Sequence, residues 1–181
     1  MVTEAAPEAS RPYMPGYGIL DAEAGRGLLP WSWATERMAK SHNYWVATTR
    51  PDAQPHVMPV WGVWLGDAEP GGAFYFSTGK NTRKAHNLAS NPRCVVCSEC
   101  ADEAIILEGI AEELTAESLP PQFKDAYFEK YKWEIDPAQG GIYAVRPRVA
   151  FAFIENADDF AGTATRWRFS DGQAAADSDA S

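Results

Sequence analysis

The chain lacks any Asp or Glu from Pro70 to Ser98, a stretch that holds Lys80, Arg83, Lys84, His86 and Arg93. Over the whole chain acidic residues dominate, 25 against 16 Lys and Arg, and the formal charge is −9. An acidic protein with one basic island is suited to a small anion, and the plain alternative is a solvated helix face. The same balance excludes nucleic acid as a general partner, because a polyphosphate needs a broad basic face to release its counterions. No apolar run approaches the roughly 20 residues that span a bilayer, and MVTEAAPEAS lacks the basic start and apolar middle of a secretory signal. A cytoplasmic protein without membrane contact is therefore expected. Cysteine is scarce too. Cys94, Cys97 and Cys100 have cluster-like spacing but no fourth partner. They fall in a strand-like run, RCVVCSEC, where residues three apart point to opposite faces. No metal site is expected.

What is present is ample core material: 45% hydrophobic residues, 12% aromatics and seven Trp in 181 residues, enough for one domain. Residues 1–10 and 170–181 are small and polar and are expected as disordered tails. Residues 11–30 are rich in Gly and Pro but carry Met14, Tyr17, Leu28 and Leu29, which predicts an irregular arm packed over a cleft or a partner. Residues 31–169 form the expected folded domain. WSWATERMAKS predicts a helix over 31–41, followed by strands over 43–49, 55–65 and 73–78. Pro59 removes a ladder donor from the second of these, so that strand is expected at an edge, a bulge or a barrel rim. A helix capped by Thr82 follows Gly79 and stops at Asn91-Pro92. CVVCSE and EAIILEGIAEEL read as strands, and 117–133 as a helix whose Phe123, Tyr127 and Tyr131 form a core stripe. GIYAVRP, RVAFAFI and ATRWRF read as three further strands. Many close strands with few helices predict a mainly β barrel with peripheral helices.

One segment carries chemistry. A strand ending in Ser77-Thr78, a Gly turn and a helix opening with Arg83 and Lys84 can hold a terminal phosphate: hydroxyls donate, free N–H groups and the helix dipole attract, and Arg grips two oxygens. The alternative is that Arg83 and Lys84 snorkel on a surface helix.

FYFSTGKNTRKAHNLASNPRCVV resembles the cofactor segment of the pyridoxamine 5′-phosphate oxidase-like, FMN-binding split-barrel superfamily. The similarity extends over PHVMPVWGVW, ILEGIAEEL, RPRVAFAFI and TRWRF, roughly residues 31–169. The resemblance implies a six-stranded antiparallel Greek-key split barrel, a homodimer with cofactor sites at its interface, and a small-molecule substrate. It places Ser77, Thr78, Arg83 and Lys84 on the phosphate, with His86 and Asn87 as weaker matches, and lays the backbone of Met58, Pro59, Val60 and Trp61 against the tricyclic ring. Trp167 and Arg168 match the late Trp and Arg that reach the cofactor from the second subunit, and a core Trp beside a surface Arg is an equal reading. No Arg-Leu-His-Asp-Arg run is present, so oxidation of vitamin B6 is not expected. The chain instead resembles the flavin and deazaflavin oxidoreductase branch, which uses FMN or coenzyme F-420. The anionic tail of F-420 would find Lys80 and His86. No acid or base is assigned. His56 is a candidate, and Trp61, Trp64, Met14 and Tyr17 are candidate substrate walls. Two other readings stay open: a non-catalytic flavin- or haem-binding split barrel, and an interaction protein without a ligand.

Overall fold

The computed structural model describes residues 7–66, 71–137 and 139–170. The chain runs β1 (Glu8–Ser10), α1 (Trp31–Lys40), β2 (Tyr44–Thr49), β3 (Pro55–Val60), β4 (Gly62–Leu65), β5 (Ala73–Thr78), α2 (Arg83–Ser90), β6 (Arg93–Ser98), β7 (Glu103–Leu114), α3 (Phe123–Tyr131), β8 (Gly141–Ile154), α4 (Phe160–Thr163) and β9 (Thr165–Arg168). The protein is mainly β, with an antiparallel sheet and peripheral helices. The described residues contain nine strands rather than the expected six. Part of the difference is a bend: only Trp61 separates β3, which pairs β2, from β4, which pairs β5. With β3 and β4 taken as one bent run, the pairings close a ring of that run, β5, β8, β7, β6 and β2. β9 and β1 extend the sheet from the second half of β8.

The alternation of each strand sorts its side chains. Tyr44, Val46, Phe74, Phe76, Val96, Ile105 and Leu107 point into the ring and form the main core with Met38 of α1 and Leu88 of α2. Each large side chain buried there contributes about 1.5–3 kcal/mol. Val63, Tyr75, Ile142 and Ala144 face the other way and pack under Phe123 and Tyr127 of α3.

Several boundaries differ from expectation for local reasons. GIYAVRP and RVAFAFI are one strand, β8, because Pro147 sits at the register shift opposite Glu108 and Gly109, where a missing donor costs no regular ladder bond. Gly109 is required there, since a Cβ would lie 2.3 Å from the Arg146 carbonyl oxygen. α3 starts at Phe123, six residues later than expected, because Pro120 and Pro121 cannot continue a helix. Pro59 lies in β3, which has β2 on one side only. Glu8–Ser10, expected within a disordered tail, instead pair with β9, whose open edge offers backbone partners to an extended segment of any composition. The rest of the expected tails, 1–6 and 171–181, lies outside the described residues.

The arm over 11–30 has no helix or strand and packs on its own chain. The Arg11 guanidinium donates to the carbonyls of Ala164 (2.8 Å), Gly162 (3.1 Å), Asp21 (3.1 Å) and Ala24 (3.2 Å), tying the arm to the end of α4. Leu20 N–H donates to the Ala161 carbonyl at 3.1 Å, and Leu29 N–H to Thr165 Oγ1 at 2.9 Å. Arg11→Ala should cost about 1.5–3 kcal/mol, the range for hydrogen bonds to a charged group. Urea denaturation measures the loss, and faster proteolysis within 12–28 would place it in the arm.

Candidate functional site

α2 begins at Arg83, five residues after β5 ends at Thr78. Thr82 caps it: its Oγ1 accepts from Ala85 N–H at 3.3 Å and lies 3.0 Å from Thr78 Oγ1. On the inner side, Asn87 Nδ2 donates to Thr48 Oγ1 at 2.9 Å and docks the helix on β2. The first turn has no acidic residue and carries Arg83 and Lys84. That is the wrong sign for a helix start, where the dipole favours anions. Lys84 is also buried, 7% exposed, and burial pushes its pKa below the ordinary lysine value. Some other cations do have carboxylate partners: Arg37–Glu103 (2.6 Å), Arg50–Asp52 (2.9 Å) and Arg26–Asp159 (3.1 Å). Lys80, Arg83, Lys84 and Arg93 have none among the described residues. A desolvated ammonium with no carboxylate partner among the described residues, in the first turn of a helix, is arranged for an anion brought from outside.

Ser77 does not join this group. Neighbouring residues of a strand face opposite sides, and here Thr78 turns to Thr82 while Ser77 turns to Gly140, where a Cβ would lie 3.2 Å from the Ser77 Oγ. The cavity on the Ser77 side, about 240 Å³, is lined by Trp133, Glu134, Asp136 and Gln139. Its two carboxylates oppose a phosphate. Ser77 thus lies on the opposite face of β5 from Thr78.

The strand expected against the ring is open. Val57 is 52% exposed, Met58 47% and Trp61 43%, and Pro59 is exposed, while the side chain of Val60 is buried in the core. His56, half-buried on the same strand and paired across from Thr48, has a buried Nδ1 with no hydrogen-bond partner. Trp61 stacks on Tyr131 with centroids 4.8 Å apart and planes 8° apart, and His42 lies 5.1 Å from Tyr131. Sequence reasoning missed Tyr131 and His42 here; it placed Tyr131 in a core stripe, and the signal was available only as an aromatic one turn beyond Tyr127. Lys80 and His86 are exposed.

Other expected site residues lie elsewhere. Trp167 is 1% exposed and belongs to the core, because it alternates inward on β9 beside Ala150 of β8. Arg168 is exposed on the same strand, which is not adjacent to β2, β3 or β5 in the sheet. Trp64 is buried in the core and lines a cavity of about 280 Å³ with Ala39 and Lys130. Met14 and Tyr17 sit in the arm, with Tyr17 against Phe160 at 5.9 Å. Cys94 points into the core, its thiol pushed up to about 12 by burial; Cys97 faces the opposite side, and exposed Cys100 lies beyond the strand.

Comparison with known proteins adds a family and a fold. The sequence profile of the pyridoxamine 5′-phosphate oxidase family matches residues 34–146, more than half of the chain. No curated protein sequence matches. Among solved structures, a pyridoxamine 5′-phosphate oxidase-related, FMN-binding protein from Nostoc punctiforme is 15% identical, with 75% of this chain and 90% of that chain covered and a TM-score of 0.50. A haem-binding protein from Mycobacterium smegmatis is 19% identical, with 68% and 54% covered and a TM-score of 0.55. An F-420 reductase is 21% identical, with 64% and 93% covered and a TM-score of 0.50. At these identities the likeness is one of fold.

Proposed function

The chain belongs to the pyridoxamine 5′-phosphate oxidase family, and we propose that it is an oxidoreductase that holds FMN or coenzyme F-420 by the phosphate and acts on a flat organic substrate. The observation that carries this reading is Lys84, buried in the first turn of α2 with no carboxylate partner among the described residues. Arg83 and the hydroxyls of Thr78 and Thr82 complete the set that would bind the phosphate; Lys80, at the β5–α2 turn, stands ready for further negative charge. A bound ring supplies the hydride chemistry, and the protein's part is to bind, orient and exclude water. The open strand of Met58, Pro59 and Trp61 offers the ring a backbone edge and an apolar surface. The exposed Trp45 and Val57, on the same face of the β2–β3 pair, also supply an apolar face for a second copy of this chain, which is the basis for proposing a homodimer.

Among the described residues no helix is long and apolar enough to cross a membrane, and cytoplasmic residence is part of the proposal. The test is titration of the purified protein with FMN and with coenzyme F-420 at two salt concentrations, with the mass followed by light scattering. Saturable binding of one of them by a dimer is expected. Tighter FMN binding at both salts, with F-420 affinity untouched by Lys80→Ala, selects FMN. Binding of neither would overturn the reading.

A further inference from the structure

Trp61 is presented to solvent, yet the backbone beside it is held unusually firmly. Gly62 donates its N–H to Tyr131 Oη at 2.8 Å, and its carbonyl lies 2.7 Å from the same hydroxyl and accepts from Lys130 Nζ at 3.1 Å. The Gly62 N–H is thereby directed away from β5, so α3 rather than the sheet satisfies this residue. The junction cannot slide inward either, since a Cβ at Gly62 would lie 2.3 Å from the Phe74 ring. Lys130 uses every proton of a charged amine. Besides Gly62 it donates to Tyr44 Oη at 2.7 Å and to the Ala39 carbonyl at 3.4 Å, and it lies over the Tyr44 ring at 4.7 Å. Tyr131 Oη also reaches the His42 carbonyl at 2.7 Å. One ammonium and one phenol thus join the end of α1, β2 and the β3–β4 bend, and Trp61 stacks on that phenol.

We infer that Lys130 and Tyr131 are positioning residues that fix the angle at which Trp61 meets the bound cofactor ring. This inference rests on the cofactor reading above. It makes the site sensitive to alkaline pH. Burial lowers the Lys130 pKa to about 8, and the charge of Glu99 opposes part of that fall. Below that value the ammonium holds three acceptors; as pH rises through it, the neutral amine keeps two protons and one contact is lost. The two phenols and Glu99 do not change charge in this window. Tyr131 is pushed up to about 12 and Tyr44 higher still by burial. Glu99 stays ionised, held down by hydrogen bonds from the His42 N–H (2.6 Å) and from Asn43 Nδ2 (3.0 Å). Glu129 lines the same cavity, about 280 Å³, and His42 lies beyond Tyr131.

The experiment uses the full chain, with the Trp61 indole signal assigned in NMR spectra by comparison with Trp61→Phe. In ligand-free protein that signal should shift with a midpoint near pH 8, and Lys130→Arg, which stays charged, should abolish the shift; His42→Gln should keep it. The Kd for whichever of FMN or F-420 binds should rise about fivefold between pH 7 and 9.5, as loss of one hydrogen bond implies, and stay flat in Lys130→Arg. Tyr131→Phe, which keeps the stack but loses the bridge, should weaken binding about fivefold at every pH. Cofactor binding with the same pH profile in wild type and Lys130→Arg, or an unaltered Kd in folded Tyr131→Phe, overturns the inference and leaves the cofactor reading standing. Failure of both cofactors to bind at any pH overturns the reading itself, while the ligand-free NMR shift still reports on the Lys130 contact.

Discussion

Lys84→Met should move stability and cofactor affinity in opposite directions. Without ligand, the wild-type protein carries a desolvated ammonium against a helix dipole of the same sign, and methionine fills the same buried space without the charge. A gain of about 1 kcal/mol, or 2–4 °C in Tm for a chain of this size, is the expected scale for relieving a functional site. The sign with pH follows from the lowered pKa. Between the folded-state value and the ordinary 10.5, the unfolded chain binds more protons than the folded one, so wild-type stability rises with pH there. The advantage of Lys84→Met should therefore be largest near neutrality and shrink toward pH 10. Cofactor affinity should fall about 10- to 150-fold, the value of one charge-assisted hydrogen bond of about 1.5–3 kcal/mol, and Arg83→Ala should add a second loss of similar size. Thermal melts at two pH values and a titration check all three parts. A Tm lowered by Lys84→Met, with cofactor affinity unchanged, would show that Lys84 is a structural cation and remove the phosphate assignment.

The sequence was informative where local chemistry decides the outcome. Thr82 as cap, Asn91-Pro92 as stop and the unopposed basic residues between them depend on neighbours a few positions away, and the structure forms that helix with those limits. Pro59 likewise marked the strand that has one partner only. Less legible were features set by distant partners. Nothing in EAS at 8–10 favours a strand; β9 supplies the reason. Nothing near Pro147 reveals that β8 bulges at Arg148 and still runs on along β7. Lys130 reads as an ordinary helix cation, and only the fold brings it to Tyr44 and Gly62. The separation of Ser77 from Thr78 is a different case, because the two-residue period of a strand already put them on opposite faces.

Trp167→Ala should be among the most destabilising single substitutions in the chain, by about 3–5 kcal/mol, while Trp167→Phe leaves cofactor affinity unchanged. Trp167 is 1% exposed, and Trp31 lies edge-on to it at 5.2 Å. Trp31 in turn meets Phe169 at 5.0 Å and Trp64 at 5.9 Å, so the indole at 167 supports a four-ring cluster that attaches α1 and β9 to the barrel. Removing it leaves a cavity that rigid rings cannot collapse to fill, and forfeits an edge-to-face contact of about 0.5–1.5 kcal/mol as well. Against a typical stability of about 5–15 kcal/mol, that loss should be plain in urea denaturation. The resemblance that matched Trp167 and Arg168 to cofactor contacts makes a competing prediction: affinity falls in the folded Phe variant. Arg168→Ala separates the two residues, because an exposed arginine costs within about 0.5 kcal/mol of stability when removed. If Arg168→Ala weakens cofactor binding and Trp167→Phe does not, the arginine reaches a second subunit's site while the tryptophan serves the core. If the Phe variant binds cofactor more weakly at full stability, the core assignment of Trp167 as its sole role is wrong.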